Sequence, residues 1–431
     1  MEVRNLRVFV KNLRNEPLMP CSERKAKLLL KQKKAKIIYY NPFTIQLLYT
    51  TGETMQEVNI GIDTGAKYIG IAITSEDKVF KKGEIELRND ISDNITSRSL
   101  FRRNRRSRKT RYRKARWLNR KRKKGWLPPS VQSKLDATFM WIDKFCSLIP
   151  NPKLSIEVGK FDIAKMINPN IKGEEYQNGQ CKDYYNIRYF VFDRDNYTCQ
   201  VCKKKNKILQ THHIIYQSCG GTNRANNLIT VCTDCHTSEN HKDGGIFYKW
   251  MKEKKKVKQY KEATFMNIVR KRIYQKYPEA RITYGSETTP KRKELGLEKT
   301  HYNDAITISM ISNIKINPSE HFYIKQFRKK KRSLHESIPR KGIKTKNINQ
   351  TRNNKNVKYR DGFYLNDKVK YNNIDCWIYG FAGGNKGREL VLRDINGMII
   401  RMPERKSSVT VNNKKVQFIC HNNNWQYTIV K

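Results

Sequence analysis

The chain has 431 residues, with 89 Lys and Arg against 39 Asp and Glu, a formal net charge of +50. That length suits about two to four domains, and the charge excess, which works against compaction, points to a polyanionic partner because each Lys or Arg meeting a phosphate releases condensed counterions. Nothing nears the ~20 apolar residues of a membrane span, and Arg4, Arg7 and Lys11 interrupt the one apolar run near the start, so no secretory leader or membrane helix is expected.

Residues 1–57 read as a small βαββ domain. "LRVFV" alternates as a strand, "EPLMP" is a turn, Ser22 caps a basic helix to about Lys33, and "AKIIYY" and "FTIQLLY" are strands split by Asn41-Pro42. Residues 58–90 predict three strands in hairpin succession. Val58, Ile60 and Ile62 share a face, which puts Asp63 on the other, at the strand's end beside Gly65. Taken alone, an Asp in a Gly-rich turn is a turn-former. In the segment 91–125, residues 98–124 contain no acid and lack an apolar stripe wide enough for a core. A free helix of like charges repels itself; phosphates on both sides would hold it, as would folding on RNA from disorder.

Residues 126–162 predict an amphipathic helix with Val131, Leu135, Phe139, Ile142 and Ile149 on one face, then a strand with Leu154, Ile156 and Val158 facing one way and Glu157 the other. A linker, 163–189, leads to a Cys/His module at 190–248 and a second basic linker at 249–261. Residues 262–324 predict the helix "ATFMNIVRKRIYQKY", the strand "ARITYG" and the helix "THYNDAITISMI", which puts His301 and Asp304 on one face. A basic connector, 325–357, precedes a small β domain at 358–431.

Six cysteines are scattered, and four form two Cys-x-x-Cys pairs, Cys199 with Cys202 and Cys232 with Cys235. Four thiolates in two knuckles match a closed, structural Zn²⁺ site, and the usage suits a reducing cytosol. His212, His213, Asn227 and His236 are surplus to that shell. They suit a second, open metal site with two ligands, a base to deprotonate water and an amide to orient it. A regular strand sends His212 and His213 to opposite faces, so the pair is expected at a strand end or bulge.

"HHI…NNLITVCTDCH" resembles the ββα-metal motif of HNH endonucleases. The resemblance implies His213 as general base, Asn227 as its support, and His212 and His236 as ligands of one Mg²⁺, with His241 the alternative to His236. Asp63, Glu157, His301 and Asp304 stand in an order that resembles the RuvC-type ribonuclease H fold, in which such residues hold two Mg²⁺ ions. Asp63 would bridge both ions, Glu157 and Asp304 would be further ligands, and His301 a ligand or the group that activates water. An HNH module inserted between the later RuvC segments, with an arginine-rich bridge helix after the first, resembles the IscB family of transposon-encoded RNA-guided nucleases. "EPLMP" with "AKIIYYNPFTIQLLY" looks like that family's PLMP domain.

The implied fold is multidomain α/β: a split RuvC-like core, bridge helix, zinc-containing HNH domain, N-terminal βαββ domain and C-terminal β-rich domain reading the target-adjacent motif. The implied activity is double-strand DNA cleavage directed by a structured guide (omega) RNA, with HNH cutting the guide-paired strand and RuvC the displaced one. Arg102, Arg103, Arg105, Arg106, Arg108, Arg111 and Arg113 are the candidate phosphate contacts along the heteroduplex. A monomeric protein in a cytoplasmic, nucleoid-associated ribonucleoprotein of a prokaryote is expected, with no membrane partner. Two rival readings are a protein-guided HNH homing or restriction nuclease and a cleavage-silent RNA-binding protein.

Overall fold

A computed structural model describes residues 7–52, 54–109, 122–167, 169–176, 184–219, 221–253, 260–327, 359–382, 388–400 and 410–430. By internal contacts these divide into two units, 1–160 with 265–431, and 161–264. The first begins with β1 (Arg7–Lys11), β2 (Pro17–Ser22), α1 (Glu23–Lys31), β3 (Ala35–Tyr40) and β4 (Phe43–Leu47) in a sheet of order β2-β1-β4-β3. Ser22 caps α1 as expected, accepting from the Lys25 amide at 3.3 Å. The "EPLMP" turn is a correction: the reversal lies at Asn12–Glu16, where the Asn12 side chain accepts from the Glu16 amide at 2.9 Å, and Pro17 opens β2. The domain is therefore ββαββ. β2 tolerates Pro17 and Pro20 because it lies at the sheet's edge.

β5 (Asn59–Thr64), β6 (Tyr68–Ser75) and β7 (Lys78–Glu86) form the expected antiparallel succession, followed by α2 (Ile91–Lys109), α3 (Pro129–Cys146) and β8 (Lys153–Glu157), which runs parallel to β5. The second unit holds α4 (Ile163–Ile167), α5 (Ile187–Arg194), the antiparallel pair β9 (Leu209–His213) and β10 (Leu228–Cys232), α6 (Ser238–His241) and α7 (Ile246–Lys252). Then come α8 (Lys261–Lys276), β11 (Arg281–Thr283), α9 (Gly285–Glu294), α10 (His301–Ile308) and β12 (His321–Gln326). The C-terminal strands are β13 (Tyr359–Arg360), β14 (Phe363–Tyr364), β15 (Lys368–Tyr371), β16 (Ile374–Ala382), β17 (Glu389–Arg393), β18 (Val411–Asn412), β19 (Gln417–Cys420) and β20 (Trp425–Val430).

A seven-stranded mixed sheet, β11-β8-β5-β6-β7-β12-β20, is the frame of the first unit. One face buries Ile60, Ile62, Ile71 and Ile156 with Leu135, Trp141 and Phe145 of α3 and Phe265, Val269 and Ile273 of α8. On the other face, Ala72 and Val79 pack with Ala305 and Ile306 of α10. The approach of α10 is at backbone distance: a Cβ at Gly70 would lie 1.9 Å from the His301 carbonyl oxygen, and one at Gly61 2.0 Å from that of Ala305.

Two further corrections concern the end of the chain. β12 extends through Gln326, past the expected boundary at 324, and the C-terminal segment is not a separate β domain throughout. β20 leaves the five-stranded sheet of its neighbours, β18-β17-β16-β15-β19, and pairs with β12 instead. It covers an edge that would otherwise expose unpaired backbone groups, and it brings Trp425 edge-on to Trp141 at 5.4 Å. Among the described residues, no helix is long and apolar enough to cross a membrane.

Candidate functional site

The acidic residues read from the sequence converge in the first unit. Asp63 lies at the end of β5 and Glu157 closes β8; the parallel register sets them side by side, and in-register neighbours project from the same face. The row continues through Gly70 on β6 to Glu84 on β7. Over Gly70 sits the first turn of α10, whose N-cap Thr300 accepts from the Asn303 amide at 3.2 Å. His301 Nδ1 thereby comes 2.6 Å from Asp63 Oδ2, leaving Nε2 as its outer nitrogen. Asp304 Oδ1 lies 2.8 Å from Arg292 Nε, and Thr288 donates to Glu157 Oε2 at 2.5 Å.

Sequence reasoning missed α9 and with it Thr288 and Arg292. The buried residues of α9 are these two polar ones, so the helix has no apolar period to betray it. Glu84, which faces the same side of the sheet as Asp63, was missed too.

The electrostatics follow from the crowding. Burial raises the Glu157 carboxyl above its ordinary range; the Thr288 hydrogen bond works against this, and the charges of Asp63, Asp304 and Glu287 add to it. Asp304 is also raised, by burial and Asp63, with Arg292 and His301 holding it back. His301 is raised by its hydrogen bond to Asp63, against the downward push of burial. Hard oxygen donors carrying compressed negative charge fit Mg²⁺. Among the described residues, clusters whose ligand atoms all lie within 4.8 Å of one another occur at the cysteines and histidines below, not in this acidic group.

The second unit gathers Cys199, Cys202, Cys232 and Cys235 in one such cluster, with the Cys202 and Cys232 sulfurs 3.8 Å apart. Burial pushes the Cys199 thiol up, but backbone N–H groups of Cys202, Cys232 and Val201 bring it down to about 7, while burial raises Cys232 and Cys235 in the same cluster, so the thiolates a metal needs are not favoured at all four positions without one. The four sulfurs are compatible with structural zinc.

The second cluster is His212, His236 and His241. His241 is thus a third member rather than a substitute for His236. His236 Nδ1 lies 2.7 Å from Gln210 Oε1 and His241 Nδ1 2.6 Å from the Thr237 carbonyl; oxygen acceptors at Nδ1 fix the tautomer that leaves each Nε2 a lone pair. His212, 3% exposed and stacked on Phe247 at 4.0 Å, has Nδ1 3.2 Å from His236 Nε2, while its Nε2 is buried without a partner. Burial, then the neighbouring histidines, push its pKa down to about 3, which keeps the ring neutral and able to ligate. Three imidazoles whose ligand atoms lie within 4.8 Å of one another, two of them oriented through Nδ1 by oxygen acceptors, fit a cation. Three nitrogen donors suit Mn²⁺, Ni²⁺ or Zn²⁺ better than Mg²⁺.

His213 sits at the strand end, as expected, and without a bulge, since β9 and β10 pair in regular register. It is not in the histidine cluster; its Nε2 lies 2.9 Å from Asn223 Oδ1 and 3.2 Å from Gln217 Nε2. Asn227, fully buried, directs its side-chain hydrogen bonds to the backbone rather than to that ring. It accepts from the Ile215 amide at 2.9 Å and donates to the carbonyls of Ile215 and Thr222 at 3.1 and 2.8 Å. Asn227 thus pins the two ends of the loop that carries Gln217, and Asn223 follows directly.

Of the candidate phosphate contacts, Arg102 is exposed on α2. The backbone of α2 continues through residue 109, but the side chains of Arg103, Arg105, Arg106 and Arg108, and all of Arg111 and Arg113, lie outside the described residues.

Two family models match the chain: an RRXRR protein model over residues 8–179 and an HNH endonuclease model over residues 199–242. The first contains the run Arg102-Arg103-Asn104-Arg105-Arg106, and the second contains both metal-ligand clusters. These matches support an IscB/Cas9-like nuclease. Among curated proteins, Anaredoxin from Nostoc sp. (strain PCC 7120 / SAG 25.82 / UTEX 2576) is 40% identical over 47 residues, 11% of this chain and 62% of that protein. Among solved structures, the Type II-C Cas9 enzyme from Actinomyces naeslundii aligns over 60% of each chain at 12% identity with a TM-score of 0.24, too loose a likeness to carry an argument. The chain spans less than two thirds of either protein's length.

Proposed function

We propose that the chain is an RNA-guided DNA endonuclease that makes double-strand breaks, its histidine site cutting the guide-paired strand and its acidic site, a split RuvC-like centre, the displaced strand. The observation that carries the nuclease reading is the cluster of His212, His236 and His241, with ligand atoms within 4.8 Å of one another, inside the segment that matches the HNH endonuclease model. RNA guidance is supported by the net charge of +50, by the RRXRR match, and by the interval of about 30 residues between the arginine-rich segment and Glu157, too short for a large recognition lobe. A structured RNA would then supply scaffold and sequence information together.

In the acidic site, Asp63, Glu157 and Asp304 would hold Mg²⁺, which supplies charge stabilisation for phosphodiester hydrolysis. Thr288 and Arg292 keep two of those carboxylates aimed, and His301, tied to Asp63 through Nδ1, is placed to hold and release a proton at Nε2. In the histidine site His213 is the general base, and its contact with Asn223 must give way for Nε2 to accept a proton from water. Because that site's donors do not fit Mg²⁺, no step there is assigned to Mg²⁺. The four cysteines would hold Zn²⁺ as the module's structural core.

The test is to purify the protein from cells that also express its flanking genomic sequence, sequence any bound RNA, and alter the RNA's variable end. A single structured RNA whose altered end redirects cleavage is the expected result. RNA-free protein that cuts DNA at a fixed sequence would contradict it and favour the protein-guided HNH nuclease.

A further inference from the structure

The C-terminal sheet carries a line of aromatic rings that the nuclease chemistry does not use. Tyr359 and Tyr364, on the β13–β14 hairpin, stand 4.7 Å apart between ring centroids. Tyr364 is 5.1 Å from His421, and His421 is 4.8 Å from Phe418 on β19. None is core: Tyr359 is 53% exposed, Tyr364 48% and Phe418 42%, and the His421 side chain is 60% exposed. Four adjoining exposed rings cost solvation unless something covers them.

The line is anchored from beneath. Asp367, fully buried, holds His421 Nδ1 at 2.9 Å and also accepts from the amides of Tyr364 and Asn422 at 2.7 and 3.3 Å. One carboxylate therefore fixes the backbone or ring of both central members, and His421 is left with Nε2 outward. β19 is the free edge of its sheet, and exposed Lys414 and Lys415 lie just before it.

We infer that this ring line is a stacking platform for unpaired nucleotides of an RNA. The rings lie 4.7–5.1 Å apart, inclined at 46°, 85° and 58° to one another, and stay largely exposed; with Lys414 and Lys415 preceding β19 in the chain they suit a single strand, bases on the exposed aromatic faces and phosphates on cations. The chain's charge of +50 argues against an apolar protein segment as the occupant. The Tyr359 and Tyr364 hydroxyls and His421 Nε2 offer polar atoms along the ring line to meet ribose 2′-hydroxyls, which commits the surface to RNA over DNA. The inference deepens the proposed function by naming where the protein grips unpaired guide RNA, and it rests on that reading for the identity of the RNA alone.

The experiment measures binding of fluorescent oligouridylate and oligothymidylate to the full chain over a salt series, for wild type, Tyr364→Ala, Phe418→Ala and Tyr364→Phe. Binding is read without cleavage, so a failure of guided cutting does not touch the result. The alanine variants are expected to lose on the order of tenfold in oligouridylate affinity at an unchanged salt slope, because stacking releases no counterions; Tyr364→Phe retains most of the binding. Unchanged affinity in folded Tyr364→Ala and Phe418→Ala, with folding checked by circular dichroism, overturns the platform. An equal loss for oligothymidylate overturns the assignment to RNA.

Discussion

Glu157 sits among Asp63, Asp304 and Glu287, and its carboxyl is raised by burial first and by those charges after. Glutamine in its place keeps an oxygen for Thr288 and removes the charge. In EDTA, Glu157→Gln should therefore raise Tm by roughly 1–3 °C in scanning calorimetry; with Mg²⁺ present, displaced-strand cleavage should fall on the order of 100-fold or more. A lowered Tm would contradict the account of like-charge crowding. His301 carries the opposite sign. Its pKa is raised by Asp63, so the pair's stabilisation is complete below the ordinary histidine value of about 6.5 and is lost as pH rises through the raised value. The effect is modest because the His301 side chain is 41% exposed. Unfolding of metal-free protein across pH 6 to 9 should show a decline that His301→Gln flattens. Asp63, Glu157, His301 and Asp304 were weak signals singly, and it was the resemblance of their order, and of the histidine motif, to known nuclease patterns that grouped them. Thr288 and Arg292 were not legible, since their partners lie on other elements far along the chain and nothing about Thr or Arg marks such a role.

The contact of α10 with the sheet is the element on which the acidic site depends most. Gly70→Ala would drive a Cβ to 1.9 Å from the His301 carbonyl oxygen, a backbone atom that cannot swing aside. A loss of about 1–3 kcal/mol in denaturant unfolding should accompany loss of displaced-strand cleavage, with guide-paired-strand cleavage retained. The zinc knuckles hold the other unit in the same sense. Cys202→Ser should reduce bound zinc below one equivalent by elemental analysis and melt residues 199–248 early, read as rapid hydrogen exchange there and slow exchange in the seven-stranded sheet. The meander β5–β7, the amphipathic α3 and the capped α1 follow from period and capping alone. The strand β2 was hidden by its prolines, which only an edge position excuses, and β20 by its distance from β12, because strand pairing across the chain leaves no local mark.

At the scale of the molecule, a charge of +50 and an RRXRR segment call for nucleic acid, while the two candidate centres lie in different units, acidic residues in one and histidines in the other. Charge and motif order made this division readable from sequence; the path of the last strand into the first unit's sheet was not, because it depends on which edge is free once the sheet has formed. Two centres in two units should fail independently. The measurement that bears most directly on this is strand-specific cleavage of an end-labelled duplex by His213→Ala and Asp63→Ala protein, each loaded with the same guide RNA. The account predicts complementary nickases: His213→Ala spares the guide-paired strand and cuts the displaced one, and Asp63→Ala does the reverse. A single variant that still cuts both strands, or one that abolishes both cuts while remaining folded and RNA-bound, would contradict two independent sites.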